Sequence, residues 1–201
     1  MNPESQVTNP YVGLRPFEQE DSLYFFGRRE QTAALLEQLS PTHFLAVVGS
    51  SGCGKSSLIR AGLIPALLGG FLVEERDTWQ IAIMKPGDAP LHNLAAALCQ
   101  GFDKAPSDAV IADLHEAIIV DHIQAVLAYL SLHLGTSTNV LLLIDQFEEV
   151  FSFRGTEEDE QTLQLGREQR RERARRRAEA DDFVDLMLGL KASPVKVMTR
   201  H

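Results

Sequence analysis

Short uninterrupted apolar runs alternate along this chain with longer stretches in which apolar residues recur every three or four positions. The clearest runs are Phe44 to Val48 and Val140 to Ile144, and Trp79 to Met84 and Val195 to Thr199 are more mixed versions. A run of this length without a polar break predicts a strand buried on both faces, as in a parallel sheet. Between the runs, Arg28 to Leu39 carries Ala33, Leu36 and Leu39 on one side, and Pro41 stops it. Ser57 to about Leu68 has helical spacing, with Pro65 placed to kink it or end it early. Leu91 to Cys99 lines up Leu91, Leu94, Ala95 and Leu98, and residues 108–134 hold one long helix or two short ones. Phe183 to Leu190 is a further helix, and Pro86-Gly87-Asp88 reads as a turn. The apolar stripe within 109–132 and Trp79 at the start of its strand are expected in the core. Strands alternating with helices predict an α/β fold, a mainly parallel sheet covered on both faces. No internal repeat interrupts this order.

Residues 154–180 break the rhythm. Glu157 to Glu160 is acidic, and Arg167 to Arg177 then holds seven arginines in eleven residues, interspersed with Glu168 and Glu172. The segment reads as a charged insertion, a helix whose charges face water. A docking strip for a partner or nucleic acid is the other reading, weakened by the acidic run beside it. The expected organisation is a lead-in and helix over 1–40, then an α/β core over 41–201 that carries this insertion at 154–180.

A chain of 201 residues suffices for one core. Its net charge of −9 excludes a chain built as a whole for nucleic acid. No apolar run approaches the roughly 20 residues of a membrane span. Met1 to Thr8 is polar and lacks a signal-peptide core, so the expected location is cytoplasmic. Cys53 and Cys99 are the only cysteines and read as free thiols. Cys53 sits where a helix start lowers thiol pKa, which makes redox sensitivity the functional reading of this thiol. His92, His115, His122 and His133 are scattered without the ligand spacing of a metal site.

The strongest chemical signal follows the first strand. Residues 49–56 read Gly-Ser-Ser-Gly-Cys-Gly-Lys-Ser, a full match to G-x-x-x-x-G-K-[ST]. Gly49, Gly52 and Gly54 let the backbone turn so that the N–H groups of Ser50, Ser51, Cys53 and their neighbours face a phosphate chain. Lys55 reaches the β- and γ-phosphates, the Ser56 hydroxyl ligates Mg²⁺, and Ser57 opens a helix whose N-terminus favours anions. A second signal ends the third strand at Asp145-Gln146-Phe147-Glu148-Glu149. Asp145 is the expected partner of Mg²⁺. Glu148 or Glu149 is placed to orient or deprotonate an attacking water, and both also suit a helix start; spacing does not separate them, with a slight lean to Glu148.

In several stretches the chain resembles STAND-type signalling ATPases, in particular the bacterial "novel STAND" group found ahead of repeat domains. The stretches are Asn9 to Phe17 (NPYVGLRPF), Phe25-Phe26-Gly27-Arg28, Val48 to Leu58, Arg60 to Leu67 (RAGLIPAL), Pro86 to Leu91 and Ile144 to Phe151 (IDQFEEVF). The resemblance implies a P-loop NTPase three-layer α/β/α sandwich with a fifth strand missing from this chain. It implies that ATP or dATP is the nucleotide and that Phe26, Gly27 and Arg28 pack near adenine and phosphates. Arg200 looks like the family's sensor arginine. It further implies a switch in bacterial signalling or antiviral defence, closed with ADP and self-associating or engaging an effector with ATP, in part through regions beyond His201. An abrupt ending at Met198-Thr199-Arg200-His201 reads as a fragment or truncation. The expected function is therefore an Mg²⁺-dependent switch that binds ATP and hydrolyses it. A truncated, non-catalytic nucleotide-binding or interaction module is the alternative. A small-molecule P-loop kinase fits less well, because about forty residues precede the loop and two glutamates follow Asp145.

Overall fold

The computed structural model describes residues 13, 15–39, 41–42, 44–70, 78–135, 138–153, 166–190, 193 and 195–200. Asn9 to Val12, Leu14, the acidic run Glu157 to Glu160 and His201 lie outside the described residues, and of Arg200 only the backbone is described.

Four strands form one all-parallel sheet: β1 (Phe44–Val47), β2 (Thr78–Met84), β3 (Thr138–Asp145) and β4 (Val195–Arg200). Their order is β1-β4-β3-β2. β4 thus lies between the strand that leads into the glycine-rich loop and the strand that ends in Asp145. Register brings three strand ends level: Arg200 pairs with Val47 on one side and with Asp145 on the other. In open parallel sheets, ligands sit outside these carboxyl ends, where strand order reverses.

The uninterrupted apolar run of β3 is explained by burial on both faces. Val140, Leu142 and Ile144 join the larger core, under α4 (Pro90–Phe102), α5 (Asp108–Asp121), α6 (Ile123–His133) and α7 (Arg167–Gly189). Leu141 and Leu143 join the smaller core on the opposite face, with Met198, Trp79, and Leu36 and Leu39 of α1 (Arg29–Leu39). Side chains of a strand alternate between faces, so Asp145 continues the Leu141–Leu143 side. That is the side covered by the helix after the glycine-rich loop.

That helix is not uniform. It begins as α2 (Lys55–Ser57), widens into a π segment (Leu58–Leu63) and returns to α3 (Ile64–Leu68). Pro65 enters at the start of α3 but inside a helix that is continuous from Lys55, so its missing N–H removes one intrahelical hydrogen bond. The helix continues past Pro65 instead of ending there, and the wider π turn is the accommodation. Ile59, Leu63, Ile64 and Leu67 bury its inner side.

Residues 108–134 resolve as two helices. His122, at φ +45°, breaks them. The helix expected from Phe183 begins much earlier, at Arg167, so the arginine-rich stretch and the apolar stretch are one continuous helix. Its C-terminal half buries Ala180, Phe183, Leu186 and Met187, whereas residues 167–172 are exposed.

Candidate functional site

After β1 the backbone climbs through Gly49 to Gly54 and enters α2. Gly52 and Gly54 adopt φ +78° and +87°, a region that strains any residue with a Cβ. The Cys53 N–H donates to Ser50 O at 3.3 Å and closes the turn. Lys55 folds back over the loop: its Nζ donates to Gly49 O at 2.7 Å and Ser50 O at 2.9 Å. The lysine thus holds the loop's shape and places its amine at the mouth of the loop.

Across β4, Asp145 ends β3 with 3% exposure. Arg60 Nη2 of the π segment stands 3.7 Å from its Oδ2. Gln146 then takes φ +58°, uncommon for a residue with a side chain. Phe147 is buried in the larger core, with its ring 6.3 Å from that of Phe183. Anchoring Phe147 divides the two glutamates that follow in a short 3₁₀ turn (Phe147–Phe153). Glu148 faces the cleft. Glu149 turns away, and its Oε2 accepts the Gly87 N–H at 3.2 Å, holding the turn after β2.

The lead-in forms a third wall. Arg15 grips Asp21 through two contacts of 2.5 and 3.1 Å, and Asp21 Oδ2 accepts the Glu18 N–H at 2.9 Å. The Arg15 guanidinium, with help from the Glu18 N–H, holds the Asp21 carboxyl below its ordinary value, and Asp21 raises Arg15 in turn. Arg15 is half exposed, so solvent screens the pair from its side, whereas the Asp21 side chain is largely covered. A 3₁₀ turn (Gln19–Tyr24) follows. The Phe17 N–H donates to Ser57 Oγ at 3.0 Å, and Glu18 receives Arg60 Nη1 at 2.7 and 2.9 Å. The strap is therefore fastened directly to the loop helix.

These walls enclose a cleft of about 860 Å³. Gly49, Ser51, Gly52, Gly54, Lys55, Ser56 and Ser57 line one side, and Asp145, Gln146 and Glu148 the other. Of the residues expected from the sequence, Ser50 and Cys53 belong to the loop but do not line the cleft, and neither does Glu149. Phe26 and Gly27 also lie off the lining. Phe26 is 76% exposed, whereas Arg28 touches the back of the loop through Cys53 O at 3.3 Å. Arg15, Phe17, Arg60, Lys85 and Gln146 line the cleft without having been assigned to it from the sequence. Arg60 carried a readable signal: it is the only charge in the apolar stretch from Leu58 to Leu68.

Among the described residues the cleft presents four cations, Arg15, Lys55, Arg60 and Lys85, facing two carboxylates, Asp145 and Glu148. That distribution suits a polyanion whose charge is shared with a divalent cation. The Ser56 hydroxyl and the Asp145 carboxylate border the same space and are hard oxygen donors. They fit Mg²⁺, which takes few protein ligands and completes its shell with phosphate and water. Among the described residues no group of three or more His, Cys, Asp or Glu is gathered as a metal site, in the cleft or outside it. His92 and His115 meet edge to face at 5.2 Å, and burial, then His92, pushes His115 below its ordinary value. Cys53 is exposed and Cys99 buried, both as free thiols. No helix among the described residues is long and apolar enough to cross a membrane.

A family model described as Novel STAND NTPase 1 matches residues 10–200. Comparison with curated proteins and with solved structures found no match.

Proposed function

Since the chain belongs to the Novel STAND NTPase 1 family, we propose that it is an Mg²⁺-dependent ATP-binding switch domain that hydrolyses its nucleotide slowly. One observation carries this reading: a single cleft holds the Lys55–Ser56 loop on one side and Asp145 with Glu148 on the other. The loop amides and Lys55 neutralise the phosphates and fix their direction. To do so, Lys55 exchanges the Gly49 and Ser50 carbonyls for phosphate oxygens. When bound, Mg²⁺ supplies charge neutralisation at the β- and γ-phosphates, with Ser56 and Asp145 as its protein ligands. Glu148 orients a water for in-line attack on the γ-phosphorus and accepts its proton, and phosphate leaves ADP on the loop. Glu149 supports this indirectly by holding the Gly87 turn. ATP or dATP is the substrate, and a bacterial signalling or defence setting, with self-association or an effector as output, follows the resemblance of the lead-in and IDQFEEVF segments. A switch requires that ATP and ADP favour different conformations, since a ligand that binds both states equally shifts nothing.

Binding of a fluorescent ATP analogue with Mg²⁺, and phosphate release, test the reading. Lys55→Ala is expected to weaken binding about 10- to 100-fold. Glu148→Gln keeps binding and slows release roughly 100-fold, while Glu149→Gln stays near wild type. Absence of binding in the wild-type chain sinks the nucleotide reading. Binding without release retains the nucleotide and removes the hydrolysis.

A further inference from the structure

Glu18 and Asp145 share one guanidinium, and they share it unequally. Arg60 Nη1 lies 2.7 and 2.9 Å from the two Glu18 oxygens, within hydrogen-bond range. Its Nη2 lies 3.7 Å from Asp145 Oδ2, close enough for an ion pair and too far for a hydrogen bond. The two carboxylates differ in setting. Asp145 is buried at the end of β3, between the sheet and the loop helix. Glu18 belongs to the lead-in, and its backbone is pinned from both sides. Its own N–H is held by Asp21, and the preceding residue's N–H is held by Ser57 Oγ on the loop helix. Glu18 is therefore a fixed anchor, and Arg60 is the side chain suspended from it.

We propose that Glu18 is a positioning residue that holds Arg60 back from Asp145 and so sets how readily this end of the cleft accepts a divalent cation. The proposal rests on the Mg²⁺–nucleotide reading above. A guanidinium and a metal ion compete for the same carboxylate oxygens, and each repels the other. A guanidinium released from Glu18 moves to the nearest remaining anion, which is Asp145. There burial strengthens the closer pair, because water screens it poorly. A cation then has to displace Arg60 before it reaches Asp145. With Glu18 in place, that competition is relieved in advance. The lead-in and the metal end of the cleft are thereby linked, and linkage is reciprocal: occupancy at Asp145 also alters how firmly Arg60 ties the strap to the loop helix.

The test is the Mg²⁺ concentration that half-saturates binding of a fluorescent ATP analogue, in wild type, Glu18→Gln, Arg60→Gln and the double variant. Glu18→Gln is expected to need roughly five- to tenfold more Mg²⁺. Arg60→Gln, which also removes one of the cleft's cations, supplies the reference against which the double variant is read. The double variant matches Arg60→Gln, because no guanidinium remains to fall onto Asp145. Glu18→Asp keeps the charge on a shorter stem and is expected between wild type and Glu18→Gln, which repeats the comparison in a milder variant. Thermal unfolding without nucleotide establishes that the compared proteins are equally folded. An unchanged Mg²⁺ requirement in both Glu18 variants overturns the proposal and leaves the nucleotide reading standing. So does a shift of equal size with and without Arg60. A wild-type chain that binds no analogue at any Mg²⁺ concentration overturns both.

Discussion

A hydrogen atom in place of a methyl group sets how closely the lead-in and α1 approach the loop helix. A Cβ built on Gly62, in the π segment, would lie 2.7 Å from Thr32 Oγ1 and 3.4 Å from the Phe25 ring. Thr32 has little room to yield, because it is stiff at χ1 and its hydroxyl donates to Arg28 O at 3.0 Å. Alanine normally gains about 1 kcal/mol over glycine inside a helix, but overpacking costs about 1–3 kcal/mol, and here the collision wins. Gly62→Ala is expected to lower the urea midpoint by the equivalent of about 1 kcal/mol, with most of that loss recovered when Thr32→Ala is added. Equal losses with and without Thr32 would assign the cost elsewhere. At this scale the sequence is uneven as a guide. The glycine-rich loop is legible because Gly52 and Gly54 answer a backbone demand that favours glycine. The division between Glu148 and Glu149 is not, because it depends on Phe147 being anchored against Phe183, a contact far away in the chain.

Among the elements, α4, α5 and α7 meet at a point where titration and packing are coupled. His92 of α4 faces His115 of α5, with Glu179 of α7 and Glu116 drawing His115 up and Arg175 pushing it down. Burial dominates and lowers His115 below its ordinary 6.5. The charged form is therefore better accommodated in the unfolded chain. Stability is complete above that ordinary value and is lost as pH falls from it through the lowered folded value. Between about pH 7.5 and about pH 5.5, the urea midpoint of wild type is expected to fall further than that of His115→Gln. Equal slopes would remove His115 as the cause. The elements themselves were readable where periodicity was strong, and less so where two kinds of sequence share one helix. In α7 the arginine-rich half has no apolar face, so its pattern suggests a separate segment, yet the buried half from Ala180 continues it without a break. The π segment was also hidden, since Pro65 signals a disturbance but not which way the helix resolves it.

For the molecule as a whole, the alternation of strands and helices was enough to foresee a parallel sheet between helical layers, because each apolar run is too short and too continuous for anything else. Strand order was not legible, since no local pattern says which strands become neighbours. That order governs the site. β4 is inserted between β1 and β3, and it is the only strand that pairs with β1 among the described residues. Removal of residues from Val195 onward is therefore expected to abolish binding of the fluorescent ATP analogue even though residues 49–57 stay intact. Retained affinity would show that the loop is held in place without the strand. The same insertion imposes a timetable. During synthesis the loop emerges early, and its strand partner emerges among the last of the described residues. At about 5–20 residues per second the wait is on the order of ten seconds. Through that interval the newborn loop has no sheet to rest on, so a nascent chain carries its most recognisable motif well before it gains the ability to hold a nucleotide.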